Sequence, residues 1–228
     1  MIKKLFLLLI LLSQLYFNTA FGHVLHYQNL NRLEFDLYRN DELIGQHIYL
    51  FIREGNDLIV QNKINFKIEI FGVTVYSYSS EGVEKYINGE FDSFSATTNH
   101  NKKEKFCKIY KKKENKFFIE GSSYKGNAPE DFIIGTWWNH EIIKFGAQIS
   151  VGSGRIIEQT VKFIGKETIE INNVIYTALK FNFFSSDPSL SKDKKLNTNV
   201  WYDEKTFMWL KASFERTGYW EYRLKYFD

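Results

Sequence analysis

The residues that could bind a metal ion or act as a nucleophile form a few small groups along the chain. One of them, His140-Glu141-Ile142-Ile143-Lys144, begins like the helix of a zinc protease, in which a second His must follow the first at i+4. Lys144 occupies that position, and its positive charge would repel Zn²⁺. The sequence therefore predicts no zinc site here, and we expect the protein to work without a cofactor.

Two histidines near the N-terminus, His23 and His26, could bind copper. If a signal peptidase cleaves after Gly22, the α-amine and imidazole of His23 can chelate the ion together, as in a histidine-brace site. A third nitrogen ligand is required, and His26 or a histidine elsewhere in the chain would have to supply it. The alternative is a solvated chain terminus without metal. Copper binding is therefore a lesser hypothesis.

Cys107 is the single cysteine, so the chain can form no internal disulfide bond. Neighbouring lysines favour a thiolate at this position. Its alternation with Ile109, however, predicts a small apolar side chain on the inward face of a strand. Gly152-Ser153-Gly154 lacks the spacing of a nucleophile elbow and is interpreted as a turn. No catalytic residue is assigned, and we expect a protein that is not an enzyme.

Aromatic residues are the next candidates, because they make up 18% of the chain. Such side chains fill the cores of β proteins, and they also line apolar ligand cavities, where Tyr hydroxyl and Trp N–H groups orient the ligand. We select seven as candidate ligand-binding residues: Tyr76, Tyr78, Trp137, Trp138, Trp201, Tyr202 and Trp209.

Residues 101–116 carry eight lysines against two glutamates, a local net charge of +6. We interpret them as a basic hairpin. Its lysines either prevent pairing at an exposed sheet edge or face an anionic membrane surface or a partner. Nucleic-acid binding is not predicted, since the basic charge is confined to one hairpin. The lysines are Lys102, Lys103, Lys105, Lys108, Lys111, Lys112, Lys113 and Lys116.

The N-terminus has the organisation of a secretory signal peptide. Lys3-Lys4 precede the apolar run Leu5–Leu12, and Ala20 and Gly22 fit the −3 and −1 positions of a cleavage site. We predict that residues 1–22 are cleaved and that the protein is exported, most simply to the periplasm. No cysteine follows the apolar run, so we do not expect a lipoprotein. No second apolar run reaches the length of a transmembrane helix. The mature chain is nearly neutral, with 28 basic and 27 acidic residues.

A period of two dominates the rest of the chain. From Leu58 to Ile70 apolar and polar residues alternate, which predicts a half-buried strand. Asn88-Gly89 predicts a type I′ hairpin that would place Lys85 opposite Asp92. The turn spacing predicts about a dozen strands. We therefore expect an all-β fold, a curled antiparallel sheet forming a barrel or half-barrel.

One stretch departs from this alternation. Apolar residues between Ile134 and Phe145 recur at helical spacing, which predicts a short helix over residues 136–144 across one mouth of the barrel. We divide the chain into the signal peptide (1–22), an N-terminal segment (23–32) and a single β domain (33–228).

The order and spacing of ten short motifs resemble an uncharacterised family of exported bacterial proteins, domain of unknown function family 6134. The resemblance covers roughly residues 33–226 and implies an exported all-β domain, with no catalytic residues to carry over. The stretch Ser185 to Asn197 is longer than we expect of the family. The motifs are Phe35-Asp36-Leu37-Tyr38, Leu43-Ile44-Gly45, Val75-Tyr76-Ser77-Tyr78 with Glu84, Asn88-Gly89, Trp137-Trp138-Asn139, Gln148, Gly154, Gly165, Trp201-Tyr202-Asp203 and Trp209-Leu210-Lys211.

Several functions therefore stay open at the level of sequence. The leading hypothesis is a non-enzymatic periplasmic module that binds an apolar or lipid-like ligand. The alternative is a structural or envelope-assembly factor without a small ligand. Two lesser alternatives are an outer-membrane β-barrel, because alternation alone does not tell a lipid-facing surface from a core, and a copper-binding protein that uses His23.

Overall fold

The computed structural model describes residues 27, 29–113, 116–185, 187–191 and 194–228. The predicted signal peptide, His23 and His26 lie outside the described residues. Among the described residues, no helix has the length and apolar character needed to cross a membrane.

The described residues form sixteen β-strands, and most of the chain is extended. In chain order the strands are β1 (Arg32–Arg39), β2 (Glu42–Glu54), β3 (Asp57–Ile70), β4 (Val73–Ile87), β5 (Glu90–His100), β6 (Lys103–Lys113), β7 (Lys116–Gly121), β8 (Lys125–Asn127), β9 (Phe132–Ile134), β10 (Ala147–Ile149), β11 (Ile156–Glu158), β12 (Thr160–Ile171), β13 (Val174–Phe184), β14 (Asn197–Asp203), β15 (Trp209–Glu215) and β16 (Tyr219–Phe227).

Thirteen of these strands form one antiparallel sheet, in the order β12-β13-β14-β15-β16-β1-β2-β3-β4-β5-β6-β7-β8. Because β1 lies between β2 and β16, the beginning and the end of the domain pair in the middle of the sheet. The sheet is curled. The side-chain amide of Asn172, in the β12–β13 turn, donates a hydrogen bond of 2.8 Å to the carbonyl of Lys225 on β16, four strands away in the sheet order. The predicted all-β, curled antiparallel fold is confirmed, and the sheet is open between its edge strands β8 and β12.

Tight turns of the predicted kind connect many of the strands. Asn88 and Gly89 both have positive φ (51° and 83°), as a type I′ turn requires. The predicted pairing across this hairpin is wrong by one residue, because Lys85 pairs with Ser93 instead of Asp92. A β-bulge beside Tyr86 accounts for the shift, since it adds one residue to β5 that the turn alone does not reveal.

A small insertion between β8 and β12 covers the inner face of the sheet. It contains the three-stranded sheet β11-β10-β9 and a 3₁₀ helix, His140–Lys144. The predicted helix over residues 136–144 is therefore too long. Thr136 and Trp138 bind the same carboxylate on β4, and residues 137–138 form a turn before the 3₁₀ helix begins at His140. Asn139 then caps the short helix by accepting a hydrogen bond from the Glu141 amide.

The main core lies between the insertion and the inner face of β1–β3 and β13–β16. Tyr27 and Leu30 of the N-terminal segment are buried in it. The Arg53 guanidinium fixes this segment by donating hydrogen bonds to the carbonyls of Leu30, at 2.8 Å, and Tyr27. Two smaller clusters extend the core, one between β5–β7 and the insertion and one between β1–β4 and β16.

The centre of the sheet contains a glycine with no room for a side chain. Gly45 pairs with Leu37 on one side and Phe66 on the other. A Cβ at this position would overlap the main-chain oxygen of Asn65 and lie 2.5 Å from the Cβ of Phe66. We predict that Gly45→Ala lowers the free energy of unfolding by about 3 kcal/mol, because relief requires β2 and β3 to separate. The shift of the urea unfolding midpoint measures this loss.

Gly55, in the turn at the other end of the same hairpin, provides the control. It has φ of +63° and no atom within 4 Å of a built Cβ, so Gly55→Ala introduces backbone strain without overlap. We expect it to cost about 1 kcal/mol. Equal losses in the two variants would contradict the steric argument.

Candidate functional site

Five ring-bearing side chains meet on the inner face of the sheet, and we call them the inner aromatic cluster: His47 and Tyr49 of β2, Trp137 of the insertion, Trp209 of β15 and Tyr222 of β16. Alternation along β2 directs both His47 and Tyr49 to the core side. Pairing of β16 with β1, the neighbour of β2, brings Tyr222 beside them. Trp137 of the insertion contacts the ring of Tyr222.

Trp209 is the centre of this cluster. Its ring centroid lies 5.5 Å from those of Trp137 and Tyr222, 6.2 Å from that of Tyr49 and 6.4 Å from that of His47. Three of these four contacts are edge-to-face, an arrangement that aromatic quadrupoles favour. The cluster is therefore a packed array of ring faces and edges.

Four nitrogen atoms in the cluster have no hydrogen-bond partner among the described residues. They are Nδ1 and Nε2 of His47 and the indole Nε1 atoms of Trp137 and Trp209, all of them inaccessible. A buried polar group left unpaired costs about 1–3 kcal/mol, and native proteins leave few. Such a concentration in one place points to a polar group that the protein alone does not supply.

Three residues of the cluster, His47, Trp137 and Tyr222, retain some solvent-exposed surface. Desolvation nevertheless lowers the pKa of His47 to about 3 and raises the pKa of Tyr222 above its ordinary value. His47 is therefore a neutral imidazole, with one donor and one acceptor nitrogen.

Of the seven aromatic residues selected from the sequence, the structure brings Trp137 and Trp209 together in the cluster. Tyr202 lies against them, with its hydroxyl donating a hydrogen bond of 3.0 Å to the carbonyl of Trp137. Tyr76 and Tyr78 stack on Phe66 in the neighbouring core cluster, at centroid distances of 5.8 and 5.3 Å.

Trp138 faces away from the cluster and binds a buried carboxylate. Glu84 of β4 is completely buried and accepts hydrogen bonds from Trp138 Nε1 (3.1 Å), Thr136 Oγ1 (3.2 Å) and the Tyr86 hydroxyl. Desolvation raises the pKa of Glu84 to about 7, although these three donors act in the opposite direction. Glu84 thus fastens the insertion to the sheet.

Trp201 lies on the other face of the sheet. Its indole Nε1 donates to Glu167, and its ring is covered by the ammonium groups of Lys180 and Lys211, 4.7 and 5.3 Å from the centroid. Neighbouring Val200 occupies the inner face, in register with Ala212 and, beyond it, Tyr222. The indole of Trp201 is therefore engaged by Glu167, Lys180 and Lys211, although the residue belongs to the same buried cluster as Trp138, Tyr202 and Trp209.

The outer face of β1–β6 contains a groove of about 680 Å³. Two rows of residues cross the strands to form it, and both contain polar and apolar side chains. The first row is Arg32, Leu50, Gln61, Val83, Ser95 and Lys108, and the second is Ile48, Lys63, Glu81, Thr97 and Phe106. None of the seven aromatic candidates lines it.

The predicted basic hairpin is divided by the structure. Strand β6 pairs with both β5 and β7, so its lysines do not protect a sheet edge. Lys102, Lys103 and Lys105 lie at one end of β6, and Lys111, Lys112, Lys113 and Lys116 lie at the other. Lys105 and Lys111, the nearest members of the two groups, are six strand residues apart, roughly 20 Å, so the groups lie at different ends of the strand.

One sequence expectation about a reactive group has an outcome in the structure. Cys107 is completely buried, and desolvation raises the pKa of its thiol to about 12, so the neighbouring lysines do not produce a thiolate. No group of three or more His, Cys, Asp or Glu side chains suited to a metal ion occurs among the described residues. His47 and Tyr222 were not selected from the sequence as ligand-binding residues, since nothing in their local spacing marks them.

The buried groups Glu84 and His47 predict opposite pH dependences of stability. The pKa of Glu84 rises from 4.5 to about 7 on folding, so stability falls by about 3 kcal/mol as the pH rises through this range. The pKa of His47 falls from 6.5 to about 3, so stability rises with pH between these values. We predict that Glu84→Gln leaves only the rising dependence and that His47→Phe leaves only the falling one. Urea unfolding at a series of pH values measures both.

Glu158→Gln, at an exposed position, is the control and should leave the pH profile unchanged. Glu84→Ala should destabilise the protein at every pH, because it strands three buried donors. A pH profile in Glu84→Gln that still falls above pH 4.5 would contradict the assignment.

Comparison with known proteins agrees with this architecture. The chain is similar to the crystal structure of a beta-barrel-like protein of domain of unknown function DUF1849 from Brucella abortus, with a TM-score of 0.59 and 12% sequence identity. The match covers 87% of this chain and 97% of that one, and at this identity the likeness concerns the fold alone. None of the curated proteins matches the chain.

The sequence profile of one family matches most of the domain. The profile of Domain of unknown function (DUF6134) matches residues 35–225, from the first sheet strand to the last. The predicted resemblance is confirmed in this respect, and the chain belongs to the family DUF6134.

Proposed function

We propose that this protein is an exported, non-enzymatic module that binds an apolar or lipid-like ligand in its inner aromatic cluster. The observation that carries the proposal is the set of four unpartnered nitrogen atoms on His47, Trp137 and Trp209 within one array of aromatic rings.

The chemistry of these groups selects the ligand. The two indole N–H groups donate, so they require an acceptor such as a carbonyl, ester or hydroxyl oxygen. Neutral His47 can donate to or accept from the same group. The ring faces of Tyr49, Trp137 and Tyr222 bind an apolar body. The desolvation that keeps His47 neutral would also oppose an ionised ligand, so we propose an uncharged polar group on an apolar chain or ring.

Export is the second part of the proposal. It rests on the arrangement of charge, apolar residues and small residues over positions 1–22. An exported module of this kind would hold its ligand in the periplasm, close to membranes that contain such molecules.

The outer groove is the competing location for a ligand. Its volume suits a small molecule. Its lining combines Arg32, Lys63 and Lys108 with the single acid Glu81, and it would select an anion instead of a neutral group. The other alternative is an envelope-assembly factor that holds no small ligand.

Native mass spectrometry of the full chain, purified from the periplasm of a bacterial host and compared before and after solvent extraction, tests the proposal. We expect an extractable apolar compound on the native protein. Trp137→Phe and His47→Phe keep a ring and remove unpartnered nitrogens, and we expect each to lower occupancy by about tenfold. Both variants must retain the native circular dichroism spectrum.

Trp201→Phe is the matched control, because it removes an indole N–H on the opposite face. We expect its occupancy to equal that of the native protein. Val83→Lys tests the outer groove in the same assay. Loss of the ligand in Val83→Lys with retention in Trp137→Phe would move the site to the groove. Recovery of only unliganded protein would favour the assembly factor.

A further inference from the structure

The hairpin of β3 and β4 extends beyond its neighbours. Pairing of β3 with β2 ends at Phe66, and pairing of β4 with β5 ends at Tyr78, whereas β3 and β4 pair with each other as far as Ile70 and Val73. Five residues from Phe66 to the turn correspond to about 16 Å of extended chain. We call residues 67–77 the hairpin arm.

The tip of the hairpin arm is apolar and exposed. Phe71 has the full exposure of an isolated side chain (102%), and Ile70, Val73 and Val75 are each at least half exposed. Side-chain hydrogen bonds join Glu69 to Lys67 and to Thr74 next to this tip. Four neighbouring apolar side chains that no described residue covers form a surface suited to an apolar environment.

The turn at this tip is also locally unfavourable. Phe71 and Gly72 have φ of 49° and 77°, a type I′ turn. Asn is the residue that tolerates the first position, and Asn40, Asn101 and Asn172 occupy equivalent positions elsewhere in this chain. Phe71 therefore adopts a strained backbone conformation and also exposes its ring to water. No contact among the described residues offsets either cost.

Cations surround the base of the hairpin arm. The β5–β6 turn is attached to it by two hydrogen bonds, from the Asn101 amide to the Ser77 carbonyl (2.9 Å) and from the Ser77 amide to Asn101 Oδ1 (2.8 Å). This attachment places Lys102 and Lys103 beside the arm. Lys103, Lys105 and Arg216 all lie close enough to His100 to help lower its pKa, after the larger effect of desolvation. The base therefore carries a positive charge that Glu69 and Glu104 only partly offset.

We propose that the hairpin arm inserts Phe71 and its apolar neighbours into the boundary between headgroups and acyl chains of an anionic bilayer. The lysines of the β5–β6 turn bind the anionic headgroups at the same time. The two parts are complementary to such a surface, because interfacial elements bury apolar side chains about 5–10 Å deep and each nearby lysine adds electrostatic attraction. This site is separate from the inner aromatic cluster, and it holds whether or not that cluster binds a ligand.

Cosedimentation of the full chain with phosphatidylcholine vesicles, with and without phosphatidylglycerol, tests the proposal. We expect binding to the anionic vesicles. Phe71→Asn should weaken it about tenfold or more through loss of the buried ring, while thermal unfolding shows equal or higher stability because Asn-Gly suits the turn. Lys102→Gln with Lys103→Gln should weaken binding about fivefold per lysine and only on anionic vesicles.

Ile175→Asn is the matched control. Ile175 is 72% exposed on the β12–β13 hairpin, at the other edge of the sheet order from β6, and its turn contacts β16. It should bind vesicles as the native chain does. A second readout uses Phe71→Cys labelled with an environment-sensitive thiol dye, since buried Cys107 does not compete for the label. We expect a blue shift of its emission on anionic vesicles.

Three results would overturn the proposal. If Phe71→Asn binds vesicles as tightly as the native chain does, insertion of the tip is excluded. An equal loss in Ile175→Asn would show that binding is not specific to the hairpin arm. Self-association that Phe71→Asn abolishes, without vesicle binding by the native chain, would identify a second copy as the partner.

Discussion

The buried carboxylate of Glu84 determines where the insertion lies and, through it, what the inner face presents. Thr136 and Trp138 both bind this group, which attaches this part of the insertion to β4. Trp137, which lies between them in the chain, contacts Trp209. A carboxylate with a pKa of about 7 at the centre of a core is costly to bury. Two of its three donors, Thr136 and Trp138, belong to the insertion, so the network favours this one position of the insertion.

The open sheet gives the two faces different chemistry. On the inner face the aromatic rings around Trp209 exclude water and leave nitrogen atoms unpaired. On the outer face a ribbon of ion pairs runs across the strands, including Lys211–Glu221 and Arg223–Asp41. Adjacent residues of a strand serve opposite faces, which is why Trp201 and Tyr202 have unrelated surroundings. The inner face therefore presents apolar rings, and the outer face presents ion pairs and a groove.

The sequence was sufficient to predict the elements whose signals are local. Alternation predicted the strands, and the Asn-Gly pair at Asn88 predicted a type I′ turn. The pairing register across that turn was wrong, because the bulge beside Tyr86 depends on packing and not on turn residues. The helix over 136–144 was overestimated, since residues 137–138 form a turn whose two Trp side chains contact different partners, Trp209 and Glu84. Trp137 and Trp209 were selected for the candidate site. His47 was not, because its surroundings come from strands distant in sequence.

At most turns of this chain the residue type suits the positive φ that the turn requires. The turn at Phe71 is the exception. Asn occupies the strained first position at Asn40, Asn88, Asn101 and Asn172, where its short polar side chain tolerates positive φ. Phe71 occupies the same kind of position with no such tolerance and no covering neighbour among the described residues. Departures of this kind concentrate at functional sites, because stability alone would not retain them. The lysines beside Ser77 supply the second half of the argument, since an apolar tip above a cationic base is complementary to an anionic bilayer and to few other surfaces.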